Sequence, residues 1–162
     1  EFLDRMMKHS TDMADGFSVE KEKARRAADP PVSVVSGFKP TTITVEPSPT
    51  NKPFKAYKLA VDLKPGKSYR ISFFAKGENV AAWAKRGGVQ GVIWFNEDDD
   101  DGVCIPKNGI DGTFDWIHFS HVVRLSQKVA SNFRPEIDLR LFFATGTVHF
   151  DGLVVEELKE NK

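Results

Sequence analysis

Several groups of residues carry chemistry worth weighing. The run Glu97-Asp98-Asp99-Asp100-Asp101-Gly102 offers oxygen ligands of the kind a hard cation takes. Its spacing at Glu97, Asp99, Asp101 and Gly102 imitates the start of an EF-hand calcium loop. The position that closes such a loop with Glu holds Asn108 instead, and no flanking helices are visible, so a solvated acidic turn is the better reading. His118-x-x-His121 would suit a metal on a helix; on a strand the odd offset sends the two rings to opposite faces, which rejects the pair. Cys104, the single cysteine, lacks a third group to make a nucleophile site with either histidine, and a small buried thiol is expected. No glycine-rich phosphate loop, G-x-S-x-G or zinc motif occurs. More informative is a set of aromatic, charged and amide side chains at strand spacing: Trp94, Trp116, Phe74 and Phe142 with Arg70, Arg140, Asp138, Gln90 and His118. Aromatic rings offer platforms for the apolar face of a pyranose, and bidentate polar groups match paired hydroxyls.

The elements that must position these residues are strands. Val32–Val35 and Thr41–Val45 are short β-branched runs separated by Gly37 and Pro40. Ala56–Leu63 alternates Tyr57, Leu59, Val61 and Leu63 with Ala56, Lys58, Ala60 and Asp62, the pattern of a half-buried strand. Lys64-Pro65-Gly66-Lys67 turns the chain into Ser68–Lys76. Val89–Phe95, Trp116–Leu125, Ile137–Ala144 and Thr147–Leu158 follow, the last two read as a closing pair around Thr145-Gly146.

Alternation sorts the faces. Tyr69, Ile71, Phe73 and Ala75 point inward and leave Arg70, Ser72, Phe74 and Lys76 outside. Phe119, His121, Val123 and Leu125 point inward, with Trp116, His118, Ser120 and Arg124 outside. Ile137, Leu139, Leu141 and Phe143 point inward, with Asp138, Arg140 and Phe142 outside. Gln90, Val92 and Trp94 form the outer set of their strand, and Val148 and Phe150 the inner set of theirs. Trp83 falls in Asn79–Gly88, read as a loop between strands, where it would either cap a binding cleft or tuck over the sandwich end.

Seven or eight strands punctuated by Gly, Pro and Asp turns describe an all-β antiparallel sandwich over residues 31–159. Residues 1–30 differ. Ser18–Asp29 is charged and alanine-rich, and Asp29-Pro30-Pro31 stops any helix, so this part reads as a short surface helix, a partial first strand or a solvated connection. Of these, a solvated face without function is preferred.

The chain has 162 residues, enough to bury a real core, and its 40% hydrophobic content with 13 phenylalanines rules out wholesale disorder. The 23 acidic residues balance the 23 basic ones, so no global electrostatic trap for nucleic acid or an anionic membrane exists, and neither partner is expected. No apolar run approaches membrane-spanning length. The chain opens at Glu1-Phe2 without methionine, so an excised piece is expected, with any export signal outside it.

Three phrases, in order, resemble a known family. Leu63–Gly77 (LKPGKSYRISFFAKG), Phe114–Leu125 (FDWIHFSHVVRL) and Gly146–Leu158 (GTVHFDGLVVEEL) are similar to strands of the jelly-roll carbohydrate-binding modules, the xylan- and glucan-binding group attached to glycoside hydrolases. The second acidic residue of the family's terminal pair is Gly152 here, and the usual opening strand is not recognisable in residues 1–30. The resemblance implies a galactose-binding-domain-like sandwich and a non-catalytic module that binds a polysaccharide or its oligosaccharides. It also implies secretion to the extracellular space or cell surface, a linked catalytic domain, and one structural Ca2+ ligated by Asp151. Two rivals stand beside it: a structural or protein-interaction sandwich without a glycan ligand, and a jelly-roll hydrolase or lyase. The lyase reading is weakened because both tyrosines, Tyr57 and Tyr69, lie on apolar parities.

Overall fold

The computed structural model describes residues 19–48, 55–96 and 102–159. Helix α1 (Val19–Ala28) precedes eight strands: β1 (Thr41–Val45), β2 (Lys55–Ala60), β3 (Ser68–Ala82), β4 (Gly88–Asn96), β5 (Val103–Ile110), β6 (Gly112–Arg124), β7 (Phe133–Phe142) and β8 (Ala144–Leu158). They form two four-stranded antiparallel sheets, ordered β1-β8-β3-β6 and β2-β7-β4-β5. Every connection except β4–β5 crosses from one sheet to the other, which makes a jelly-roll sandwich.

Alternation builds the core. Tyr69, Ile71, Phe73 and Ala75 of β3 meet Ile137, Leu139 and Leu141 of β7 across the gap between the sheets, all of them enclosed. Phe73 stacks on Phe119 of β6, with ring centroids 5.2 Å apart, and meets Phe150 of β8 at 5.9 Å. Each such ring contributes roughly 1.5–3 kcal/mol by leaving water. The Tyr69 hydroxyl, also buried, accepts the Lys64 N–H at 2.8 Å and ties the turn before β3 to the core.

Three sequence-based expectations are corrected, and one strand is added. Val32–Val35 forms no strand of its own; only Ser33 bridges to Glu156, and the Val34 N–H donates to the Val155 carbonyl. The expected Asn79–Gly88 loop is strand as far as Ala82, because β3 outlasts its hydrophobic run by pairing with β8. Strand β5 adds to the expected set: it contains Pro106, which is tolerated because β5 is the sheet's edge strand. Finally, β7 and β8 are not a closing pair. They lie in different sheets, and the residue between them, Phe143, has φ +45°, which breaks the strand and sends the chain across the sandwich.

Helix α1 is docked rather than solvated. Its residues are good helix formers, with Glu20 and Glu22 in the first turn and Arg25 and Arg26 in the last, matching the helix dipole. It lies on the outer face of the first sheet, against β6.

Candidate functional site

The outer face of the second sheet carries half of the expected residues. In the β4–β7 register Gln90 faces Arg140, Val92 faces Asp138 and Trp94 faces Glu136, while β2 sets Ala56 beside Arg140, Lys58 beside Asp138 and Ala60 beside Glu136. Arg140 is the centre of this face: its Nε and Nη2 donate to Gln90 Oε1 at 2.9 and 2.5 Å, and its guanidinium lies over Phe142 (4.0 Å) and Trp94 (5.8 Å). Burial pulls the Arg140 pKa below the usual arginine value, while Cys104 and Asp138 beside it oppose the shift.

A carboxyl pair lies toward the Trp94 end. The Trp94 indole N–H donates to Asp138 Oδ2 at 3.0 Å, and Lys58 Nζ stands 3.8 Å from both Asp138 and Glu136. Asp138 Oδ1 is enclosed without an N–H or O–H donor among the described residues. Burial, then the hydrogen bond to Asp138 and the charge on Asp138, raise the Glu136 pKa above the usual carboxyl range, with Lys58 opposing.

At the other end the face runs onto the tip of the sandwich. Phe142 packs on Phe143 with ring centroids 4.2 Å apart, and Phe143 meets Trp83 at 6.3 Å. The Trp83 N–H donates to the Phe143 carbonyl at 2.9 Å, which holds the two residues together through the backbone. Alternation had placed Phe143 in the core; its left-handed backbone turns it out instead, 39% exposed beside Trp83 at 38%. No feature of the sequence signals this, because the conformation is imposed by the crossing from β7 to β8.

The remaining expected residues belong to the opposite face and form a different structure. Phe74 and His118, expected as a platform and a hydroxyl partner, are enclosed under α1, and Trp116 is half-buried with Lys23 5.6 Å from its ring centroid. Arg26 is the anchor. It donates through Nη1 to the Gly152 carbonyl (2.5 Å) and through Nη2 to Ser72 Oγ (2.6 Å), lies 3.2 Å from His118 Nε2, and covers the Phe74 ring. Glu22 holds Arg25 and Arg26 in place; the hydrogen bond from Arg25 lowers its pKa to about 2 against the opposing effect of burial. Arg70, half-buried on the same sheet face, pairs in register with Glu156. The expected set is thus two faces and not one groove, since period-two alternation separates inside from outside but cannot distinguish the two outsides.

Gly152 explains its own departure from the family pattern. It is a bulge residue with φ +58°, and a Cβ there would sit 2.7 Å from the Phe74 ring and 3.0 Å from Arg26 Nη1. Neighbouring Asp151 accepts the Gly152 N–H on Oδ1 at 2.7 Å. Among the described residues no three His, Cys, Asp or Glu side chains come together around a common point. The acidic run at 97–101 lies outside the described residues. Glu136 and Lys58 were missed as site residues although their parity with Asp138 is legible.

No family model matches the chain, and no curated protein matches it. Solved structures do. A protein described as a CBM4 is 18% identical over 83% of this chain and 83% of its own, with a TM-score of 0.51. A family 16 carbohydrate-binding module is 19% identical over 74% of this chain and 77% of its own, with a TM-score of 0.46. The CBM22-1 and GH10 modules of Clostridium thermocellum endo-1,4-β-D-xylanase 10B are 16% identical over 62% of this chain and 18% of theirs, at 0.40. The likeness to the CBM4 structure establishes a shared jelly-roll fold.

Proposed function

We propose that this chain is a non-catalytic glycan-binding module whose site is the outer face of the second sheet, continued over the tip. The observation that carries the reading is the line Trp94–Arg140–Phe142–Phe143–Trp83, in which the Arg140 guanidinium lies between two rings and three rings then follow one another to the tip. Gln90, Asp138 and Lys58 line the same strip. A sugar chain laid along it would stack its apolar ring faces on the rings and pair hydroxyls with exposed Lys58, while the buried Gln90, Asp138 and Arg140 hold those rings in place. The shared fold of the carbohydrate-binding modules supports the reading without identifying the ligand.

Stacking contacts are worth about 0.5–1.5 kcal/mol each, so useful affinity needs several subsites along one chain. Such a module works by holding a linked catalytic domain at high effective concentration on its polymer, outside the cell. The carboxyl pair Glu136–Asp138 does not argue for hydrolysis: the two groups are neighbours that share Lys58 at 3.8 Å rather than facing across a cleft.

Affinity gel electrophoresis against a panel of soluble polysaccharides tests the proposal. The wild-type chain is expected to be retarded by at least one of them, and Trp94→Ala and Phe142→Ala to lose about twofold to tenfold in affinity. Absence of retardation across the panel would sink the proposal. Retardation unchanged in both variants would remove this face as the site.

A further inference from the structure

We propose that the glycan taken by this site is anionic, bearing uronate or sulfate groups, and that its charges are read at the tip by Lys85 and Arg86 beside Trp83. The inference rests on the glycan-binding reading above and narrows the ligand class.

The tip is built by the turn after β3. The Gly87 N–H donates to the Ala84 carbonyl at 3.0 Å, closing the turn, and the Gly109 N–H donates to the Arg86 carbonyl at 3.2 Å, tying it to the edge strand β5. This leaves Trp83, Lys85 and Arg86 exposed together in a backbone held at both ends. Neither cation makes a side-chain hydrogen bond, ion pair or ring contact among the described residues, and the same holds for exposed Lys107 on β5. Exposed cations usually find a carboxylate within reach on a surface with equal numbers of both signs. Here they do not.

Several carboxylates of the sandwich are committed elsewhere. Glu78 pairs with His149 at 3.1 Å on the first sheet's side of this end, Asp111 in the β5–β6 turn has contacts of its own, and the Glu136–Asp138 pair lies at the Trp94 end. Among the described residues the strip carries Lys58, Glu136 and Asp138 toward Trp94, and Lys85 and Arg86 beside Trp83. An aromatic pair flanked by unpaired cations is complementary to a ring that is apolar on its face and negative at its rim, which describes a uronate or a sulfated sugar. A neutral glycan would leave both cations without a role.

The experiment compares anionic glycans (polygalacturonate, alginate, chondroitin sulfate) with neutral ones (xylan, mixed-linkage glucan) by affinity electrophoresis and titration calorimetry, at low and high NaCl. Single-stranded DNA serves as a non-sugar polyanion. The expected result is about tenfold tighter binding to an anionic glycan than to any neutral one, weakening as salt rises. The double variant Lys85→Gln/Arg86→Gln is expected to abolish that preference while keeping residual binding, and Trp83→Ala to weaken both. The exposed, unpartnered positions leave folding intact, which the unchanged thermal transition verifies. Equal, salt-independent binding to neutral glycans would overturn the inference and leave the glycan-binding reading standing. An anionic preference that survives the double variant would also overturn it, as would equal affinity for DNA. No binding to any glycan would overturn both.

Discussion

Arg140 sits between two aromatic rings with two hydrogen bonds to one amide oxygen, and this arrangement makes its role specific to arginine. Lysine has one nitrogen where two are used, and no plane to lie on Phe142. Arg140→Lys is therefore expected to lose about 1–3 kcal/mol of stability, because Gln90 Oε1 keeps at most one donor in an enclosed site; urea unfolding measures it. Glu136 gives a pH-dependent counterpart. Its pKa is raised in the fold, so its deprotonation works against folding at neutral pH and the penalty disappears as pH falls below that raised value. Glu136→Gln keeps a donor for Asp138 without the charge, so it should raise the Tm at pH 7 and leave it nearly unchanged at pH 4. A Tm gain of equal size at both pH values would show that the carboxyl pair is not the cause. At Gly152 the cost is steric as well as conformational: Gly152→Ala should destabilise by at least about 1–2 kcal/mol, the value of a left-handed backbone alone.

At the scale of elements, α1 is the part whose behaviour depends most on one residue. Arg26 links the helix to a bulge carbonyl, a serine and a histidine on two strands, so Arg26→Ala should detach it while the sandwich stays folded. The readout is a red shift of Trp116 fluorescence as Lys23 leaves its ring, with little change in the far-ultraviolet strand signal. Acid should do the same. Glu22 has a folded pKa of about 2, below its ordinary value of 4.5, so its contribution is complete above pH 4.5 and is lost as pH falls toward 2. The Trp116 signal should follow that window in the wild type and be flat in Glu22→Gln. Legibility differs between elements for a physical reason. The long strands β3, β6 and β8 announce themselves through alternating apolar residues, whereas β5 contains Pro106 and a Gly and gains its structure from pairing with β4.

The whole molecule is a sandwich with two unlike outer faces. One is closed by α1, and the other carries the aromatic strip that ends at the exposed tip. Between them the core binds the sheets: Phe73 touches rings from β6 and β8 and is fully enclosed, so Phe73→Ala should cost about 3–5 kcal/mol and move both sheets' unfolding together in one transition. The division of faces also places the binding proposal. Substitutions under α1 should change stability without changing glycan affinity, and substitutions on the strip should do the reverse at Trp83, Lys85 and Arg86.

The sequence by itself determined the sandwich, the inward set around Tyr69, Phe73, Phe119, Ile137, Leu139 and Phe150, and the existence of outward aromatics, because strand alternation and turn residues are local properties of the chain. Only the tertiary structure decided which outward residues share a face. That depends on which sheet each strand joins, and the order β1-β8-β3-β6 against β2-β7-β4-β5 follows from long-range pairing that no local pattern encodes. It also decided that Phe74, His118 and Trp116 lie under a helix, through an arginine reaching across 126 positions to the Gly152 carbonyl. Phe143 and Trp83 meet at the tip for the same kind of reason: the chain must cross from one sheet to the other there, and the left-handed turn that carries it across leaves the ring outside.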